Sequence, residues 1–196
     1  MEVVFYKGAF IGRDNVVLSS ESRSLNYGDG FFETVKVINK RVFNFPYHMQ
    51  RIKLAFSVLK LNNHYTEKFL QEIICELITV NKMISGTIKI HVSRSGAGRY
   101  LPDSCDTDLF VRSINGSLYQ KNNMISLCFY EDEYKTRGSL SNIKSVSSLV
   151  SVLSLVYANE NSFDNAILFN PSGNVIEASN ANLFIVKNNK ICTPPI

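Results

Sequence analysis

Apolar positions recur with two different periods along the first half of the chain. Short runs rich in β-branched and aromatic residues, bounded by turn residues, predict strands. These are residues 3–11 and 15–18, "FFETVKV" (31–37), "VFNF" (42–45) after the turn "INKR", "TIKIHVSR" (87–94) and "DLFVRSI" (108–114). Helical spacing governs two stretches between them. Pro46 opens the first, where Met49, Ile52, Phe56 and Leu59 share one face. Thr66 is placed to cap the second, in which Phe69, Leu70, Ile73, Ile74, Leu77 and Ile78 form a broad apolar stripe. Residues 1–114 therefore predict an α+β domain.

The polar, turn-rich "NGSLYQKNN" (115–123) predicts a linker, and residues 124–196 a second, strand-rich domain. Its pattern predicts a strand at "MISLCFY" and a helix over 141–158, with Ile143, Val146, Val150, Leu153 and Tyr157 along one face. The opposite side of that helix carries Ser141, Lys144, Ser145, Ser148 and Ser151. Short strands follow at "AILFN", "NVIEA", "NLFIVKN" and "KICT", separated by turn compositions.

Composition narrows the functional classes. The chain has 196 residues, 45% hydrophobic and 19% charged, an ordinary globular mixture with material for a sizeable core. A net charge of +4, without a block of like charges, suits small anions better than nucleic acid. No apolar run reaches membrane-spanning length, and "MEVVFYKGAF" does not have the form of a signal peptide. Cys75, Cys105, Cys128 and Cys192 are far apart, which suits free thiols in a reducing cytoplasm. His48, His64 and His91 lack metal-ligand spacing, so no metal site is expected.

The candidate chemistry centres on "SNIKSVSSLVSVL" (141–153), where Lys144 is the single cation in an otherwise apolar or small run. The plainer reading is a solvated surface lysine. The sharper one is a Schiff-base lysine, which needs room beside it for a planar cofactor. Four ordered segments bear on the choice: "RSLNYGDGFFETVKV" (23–37), "HMQRIKLAFSVLKL" (48–61), "SNIKSVSSL" (141–149) and "DNAILFNPSGNVIEASNANLFIV" (164–186). Together they resemble the class IV, fold-type IV pyridoxal-phosphate enzymes, a family that includes D-amino-acid and branched-chain aminotransferases and aminodeoxychorismate lyase.

The resemblance implies a two-domain fold with the cofactor pyridoxal 5'-phosphate in the cleft, and a homodimer acting on a small amino substrate. It implies that Lys144 is the Schiff-base lysine and proton carrier, that Arg51 grips the cofactor phosphate, and that Glu177 faces the pyridine nitrogen. Asn180 and Asn182 resemble the polar turn after that glutamate, although asparagines in such a turn often satisfy only backbone groups.

The loop "SRSGAGRYLPD" (93–103) is similar to the Gly/Arg loop of aminodeoxychorismate lyases. Arg94 and Arg99 are the candidates there for substrate carboxylates. The resemblance points first to pyruvate elimination giving 4-aminobenzoate, a folate precursor, and second to amino-acid transamination. A cofactor-free binding or structural member is the further alternative, and the joint presence of Lys144, Arg51 and Glu177 speaks against it. In the family, a "TP" step like Thr193–Pro194 leads into a further phosphate-binding segment. The second domain is therefore expected to be incomplete, with exposed apolar faces and weakened phosphate affinity.

Overall fold

The computed structural model describes residues 1–116 and 124–194. Contacts divide the chain into two compact units, Met1–Gln120 with Ile143–Ser147, and Lys121–Asn142 with Ser148–Ile196.

The first unit is built on a six-stranded antiparallel sheet. β1 (Val3–Tyr6) and β2 (Ala9–Gly12) form a hairpin whose turn residues, Lys7 and Gly8, both have positive φ, 48° and 90°. This is the turn geometry whose twist matches paired strands. The strand expected at 15–18 is absent. Arg13–Asn15 coil into a short 3-10 turn, and Val17 and Leu18 project into solvent with no strand beside them. Then come α1 (Arg23–Tyr27), β3 (Gly30–Ile38) and the short β4 (Arg41–Val42), which pairs with β3 through a turn with positive φ at Asn39 and Lys40. The return strand is shorter than the expected 42–45 because Asn44, at φ 53°, turns the chain into α2 (Phe45–Val58). Next are α3 (Glu67–Val80), β5 (Gly86–Arg94) and β6 (Thr107–Asn115). The sheet order is β2-β1-β6-β5-β3-β4.

The strand period of two sends Phe31, Val35 and Val37 of β3, Ile88, Ile90 and Val92 of β5, and Leu109 and Val111 of β6 into one core. Ile52, Phe56, Leu70, Ile74 and Leu77 of the two helices bury their apolar stripes in the same core. Thr66 caps α3 as its sequence position implies, its Oγ1 accepting from the Phe69 N–H at 3.1 Å. Phe69 lies at the edge of the stripe, stacked on Tyr65.

Residues 143–147 were expected within a helix of the second domain, but they belong to the first unit as an extended segment. Phe32 N–H donates to the Lys144 carbonyl at 2.8 Å, and Val146 N–H donates to the Gly30 carbonyl at 3.1 Å. Ile143, 8% exposed, enters the core. The helical reading fails here because sheet pairing and burial of one isoleucine outweigh a weak local preference in a serine-rich run.

In the second unit, β7 (Leu127–Phe129) pairs in parallel with β8 (Asn165–Phe169), and α4 (Leu149–Glu160) lies between them in sequence. β9 (Val175–Ala178) adds antiparallel to β8. A separate hairpin joins β10 (Ile185–Lys187) to β11 (Lys190–Cys192) through Asn188 and Asn189, both at positive φ. The core is small: Tyr130, Ala158, Ala166 and Leu168. α4 turns Ser154 and Ala158 inward, not Leu153 and Tyr157. Of the expected linker, Asn115 ends β6 and residues 117–123 lie outside the described residues.

Candidate functional site

A buried carboxylate organises one part of the first unit. Glu33 occupies an inward position of β3 between Phe31 and Val35 and is 2% exposed. A charge there requires partners. Arg51 supplies a side-on pair, with Nε 2.8 Å from Oε1 and one terminal nitrogen 2.7 Å from Oε2. His48, one turn earlier on α2, places Nδ1 2.7 Å from the same Oε2. Its Nδ1 also lies 2.9 Å from the Arg51 terminal nitrogen. The tautomer that donates Nδ1–H to Glu33 satisfies the carboxylate, so the Arg51 approach is a close contact only. Burial pushes the Glu33 pKa up, but the hydrogen bonds and charges of His48 and Arg51 outweigh this and hold it below the usual glutamate range. The Arg51 side chain remains 41% exposed. Because Glu33 takes the side-on edge, the end-on edge of the guanidinium stays available to a second anion, in the fork geometry that suits phosphate.

Lys144 follows Ile143 on the segment paired to β3, so its position is fixed by backbone bonds and not by a helix. Its side chain is exposed, and Nζ lies over the Phe32 ring, 5.9 Å from the centroid. Gly30, beside this segment, admits no side chain. A Cβ there would collide with the Val92 carbonyl oxygen of β5.

The loop after β5 is held by two arginines that share Asp29. Arg23 Nε and Arg94 Nε lie 2.8 and 2.9 Å from Asp29 Oδ2. Arg23 also donates through one terminal nitrogen to the carbonyls of Ala97, Gly98 and Arg99 at 3.2, 2.9 and 2.7 Å. Arg94 donates to the carbonyls of Leu59 and Lys60 at 2.7 and 3.4 Å and is 8% exposed. The structure thus removes Arg94 from the substrate-carboxylate candidates, since its donors are spent on internal acceptors. Arg99 is exposed on the loop that Arg23 clamps.

The second unit holds the remaining candidates. Glu177, on β9, pairs with Lys135 at 3.3 Å, and Lys135 also reaches the Ser151 hydroxyl of α4 at 3.3 Å. Asn180 accepts from Asn165 Nδ2 at 2.8 Å, which ties the turn after β9 to β8. Asn182 is exposed, just beyond the Ala178–Ala181 bridge. Among the described residues, no three or more His, Cys, Asp or Glu side chains cluster to hold a metal. No helix among them is long and apolar enough to cross a membrane.

Sequence reasoning missed Glu33, His48, Asp29 and Arg23. The available signal was an acid at an inward-phased position of an apolar strand, with histidine and arginine three apart on the following helix.

The chain thus runs from an α+β unit on a six-stranded sheet into a smaller strand-rich unit. Residues 30–196 match the model of the amino-transferase class IV family, and the chain belongs to that family. It is 28% identical over 201 residues to a D-alanine aminotransferase of Staphylococcus haemolyticus, an alignment that covers 100% of this chain and 70% of the relative. It is 26% identical over 196 residues to a putative branched-chain-amino-acid aminotransferase of Methanocaldococcus jannaschii, covering 98% of this chain and 68% of the relative.

Among solved structures, the branched-chain aminotransferase of Thermoproteus uzoniensis with norvaline superposes with a TM-score of 0.89 at 24% identity, covering 98% of this chain and 68% of that one. A putative 4-amino-4-deoxychorismate lyase of Legionella pneumophila gives 0.84 at 23% identity, covering 93% and 67%. These likenesses show that the fold is the fold-type IV aminotransferase fold.

Proposed function

We propose that the chain is a pyridoxal-phosphate-dependent transaminase acting on a small amino acid. The observation that carries the reading is the Arg51 guanidinium, fixed side-on by buried Glu33 with its end-on edge open. A rigid fork with an unused edge fits a phosphate monoester. Similarity to D-alanine and branched-chain aminotransferases over essentially the whole chain supports the same choice.

When bound, the cofactor supplies an electron sink for the charge left on the substrate α-carbon. Arg51 would hold its phosphate. Lys144 would anchor its carbonyl carbon through Nζ and carry the proton from the α-carbon. Glu177 would accept the hydrogen bond of the pyridine nitrogen, with Lys135 orienting the carboxylate. Asn180, through Asn165, would hold the turn that follows Glu177. Arg99 is the remaining loop candidate for a substrate carboxylate. The family resemblance further implies a homodimer, which sedimentation equilibrium would test.

A second reading is pyruvate elimination from aminodeoxychorismate. The similarity of the 93–103 loop to lyase loops favours it, and Arg23 holds the backbone of that loop in one shape.

The test is the visible spectrum of the protein with pyridoxal phosphate, before and after borohydride, for wild type and Lys144→Ala. The expected result is a band that borohydride fixes onto wild type alone. A band of equal strength in Lys144→Ala would overturn the role of Lys144. Product analysis then separates the reactions: a keto acid with aminated cofactor marks transamination, and 4-aminobenzoate marks elimination.

A further inference from the structure

Residues 95–106 form a loop between β5 and β6, and the Ser95 N–H closes its base by donating to the Asp106 carbonyl at 2.8 Å. The tip turns sharply. Gly96 and Gly98 have φ of 83° and 89°, and a Cβ on Gly98 would collide with the Leu101 carbonyl oxygen. Among the described residues, the carbonyls of Ala97, Gly98 and Arg99 have one donor, the Arg23 Nη1 that all three share. Neither this loop nor α1, which carries Arg23, gives a side chain to the buried core cluster of the first unit. The 4% exposed Arg23 guanidinium therefore fixes a loop tip that contributes nothing to core packing.

A second contact brackets the next residue. The Arg23 guanidinium carbon lies 4.9 Å from the Tyr27 ring centroid, and the Tyr27 ring lies 5.7 Å from that of Tyr100. Arg99 thus stands between a carbonyl held by Arg23 and a ring held by Tyr27, with its own side chain exposed. Because the peptide unit is planar, fixing three consecutive carbonyls fixes the backbone on both sides of Arg99 and the direction in which its side chain leaves the chain. Arginine can do this from position 23 because Nε donates to Asp29 while Nη1 reaches the loop. A lysine ammonium is a single point charge and cannot hold both.

We propose that Arg23 is a positioning residue which, with Tyr27, presets the 97–100 backbone so that Arg99 meets the carboxylate of the amino substrate from a loop already ordered. The proposal deepens the transaminase reading and rests on it for the role of Arg99. Ordering that a free loop would undergo on binding is completed on folding instead. The affinity gained is that of one or two side chains immobilised in advance, about tenfold.

Calorimetric titration with valerate, an amine-free carboxylate, reads the site without turnover. Arg99→Met and Arg23→Lys are each expected to weaken valerate binding about tenfold. The double variant should bind it no more weakly than Arg99→Met alone, since Arg23 acts through Arg99. Tyr27→Leu leaves the buried charges in place and is expected to weaken binding about threefold, and Tyr27→Phe to keep it. Trypsin should cut after Arg99 faster in Arg23→Lys than in wild type. In turnover, the loss is expected in KM rather than kcat. Unchanged affinity in Arg23→Lys would overturn the proposal, and so would a loss that persists in the Arg99→Met background. Should Arg23→Lys fail to fold, the Tyr27 variants decide, and equal affinity of Tyr27→Leu and wild type overturns the proposal. A borohydride-fixed band in a protein without coupling between positions 23 and 99 rejects the clamp and leaves the transaminase reading standing. Coupling in a protein that forms no such band supports the clamp and rejects that reading.

Discussion

Glu33 couples the stability of the first unit to pH. Its folded pKa is lowered, because His48 and Arg51 outweigh the effect of burial. A depressed carboxylate contributes stability that is fully present above the unfolded value, about 4.3, and is lost as pH falls through the lower folded value. Glu33→Gln is expected to cost about 2 kcal/mol at neutral pH, a figure discounted for the partial exposure of Arg51. Urea midpoints of wild type and variant should converge as pH falls below the unfolded value. A difference independent of pH would show that the carboxylate charge is not the cause. Asp29 presents a sharper case, since it serves two buried arginines. Asp29→Ala is expected to cost about 3 kcal/mol, because both guanidinium groups lose their shared counter-ion. It should also speed proteolysis in the 97–99 loop. Unchanged stability would mean that the backbone acceptors alone suffice. Arginine reads as a binding residue in a sequence; only its neighbours reveal whether its donors are already spent, as they are in Arg94 and not at the exposed Arg99.

The segment bearing Lys144 shows how an element is decided by its partners. The apolar spacing of 141–158 fits a helix, and α4 forms over Leu149–Glu160. The residues before it pair with β3 because the Phe31–Ser145 bridge and its flanking backbone bonds hold them there and Ile143 reaches the core. Ile143→Ala should therefore do two things. It should cost about 2–4 kcal/mol through the cavity and lost transfer energy. It should also raise amide exchange at Phe32 and Val146, whose N–H groups bond across this junction. Destabilisation without faster exchange at those two amides would separate the core role of Ile143 from the anchoring of Lys144. The long β3 and β5 strands and the helices α2 and α3 were legible because burial there follows a regular period, whereas the five-residue α1 was not expected. The strand expected at 15–18 was a false signal: its apolar residues found no neighbouring strand to pair with, and the Val17 carbonyl accepts instead from the Tyr6 hydroxyl at 3.2 Å.

The two units differ in how much apolar surface they bury. Among the described residues, the first has a core cluster of more than twenty buried side chains and the second a cluster of four. α4 leaves Leu149, Val152, Leu153 and Val156 exposed, and the β10–β11 hairpin leaves Phe184, Ile185, Val186 and Ile191 exposed. Denaturation is expected to be biphasic, with the second unit unfolding at lower urea than the first. Amide exchange resolved by segment would check this; a single coincident transition would refute it. The same exposed residues should bind a hydrophobic dye, and the signal should fall in the Val152→Glu/Val156→Glu double variant.

The sequence by itself determined the family, the order of most elements and the identity of Lys144, Arg51 and Glu177 as residues to examine. Period, turn chemistry and residue type are local properties, and four ordered segments carry them along the chain. Tertiary structure decided which arginine is free, which acid is buried, and which strand edge holds the reactive-lysine candidate. It also brought three carbonyls of the 97–99 loop onto the buried Arg23. Those outcomes depend on hydrogen-bond partners and registers contributed by residues far apart in the chain, whose energies exceed the local preferences that a sequence displays.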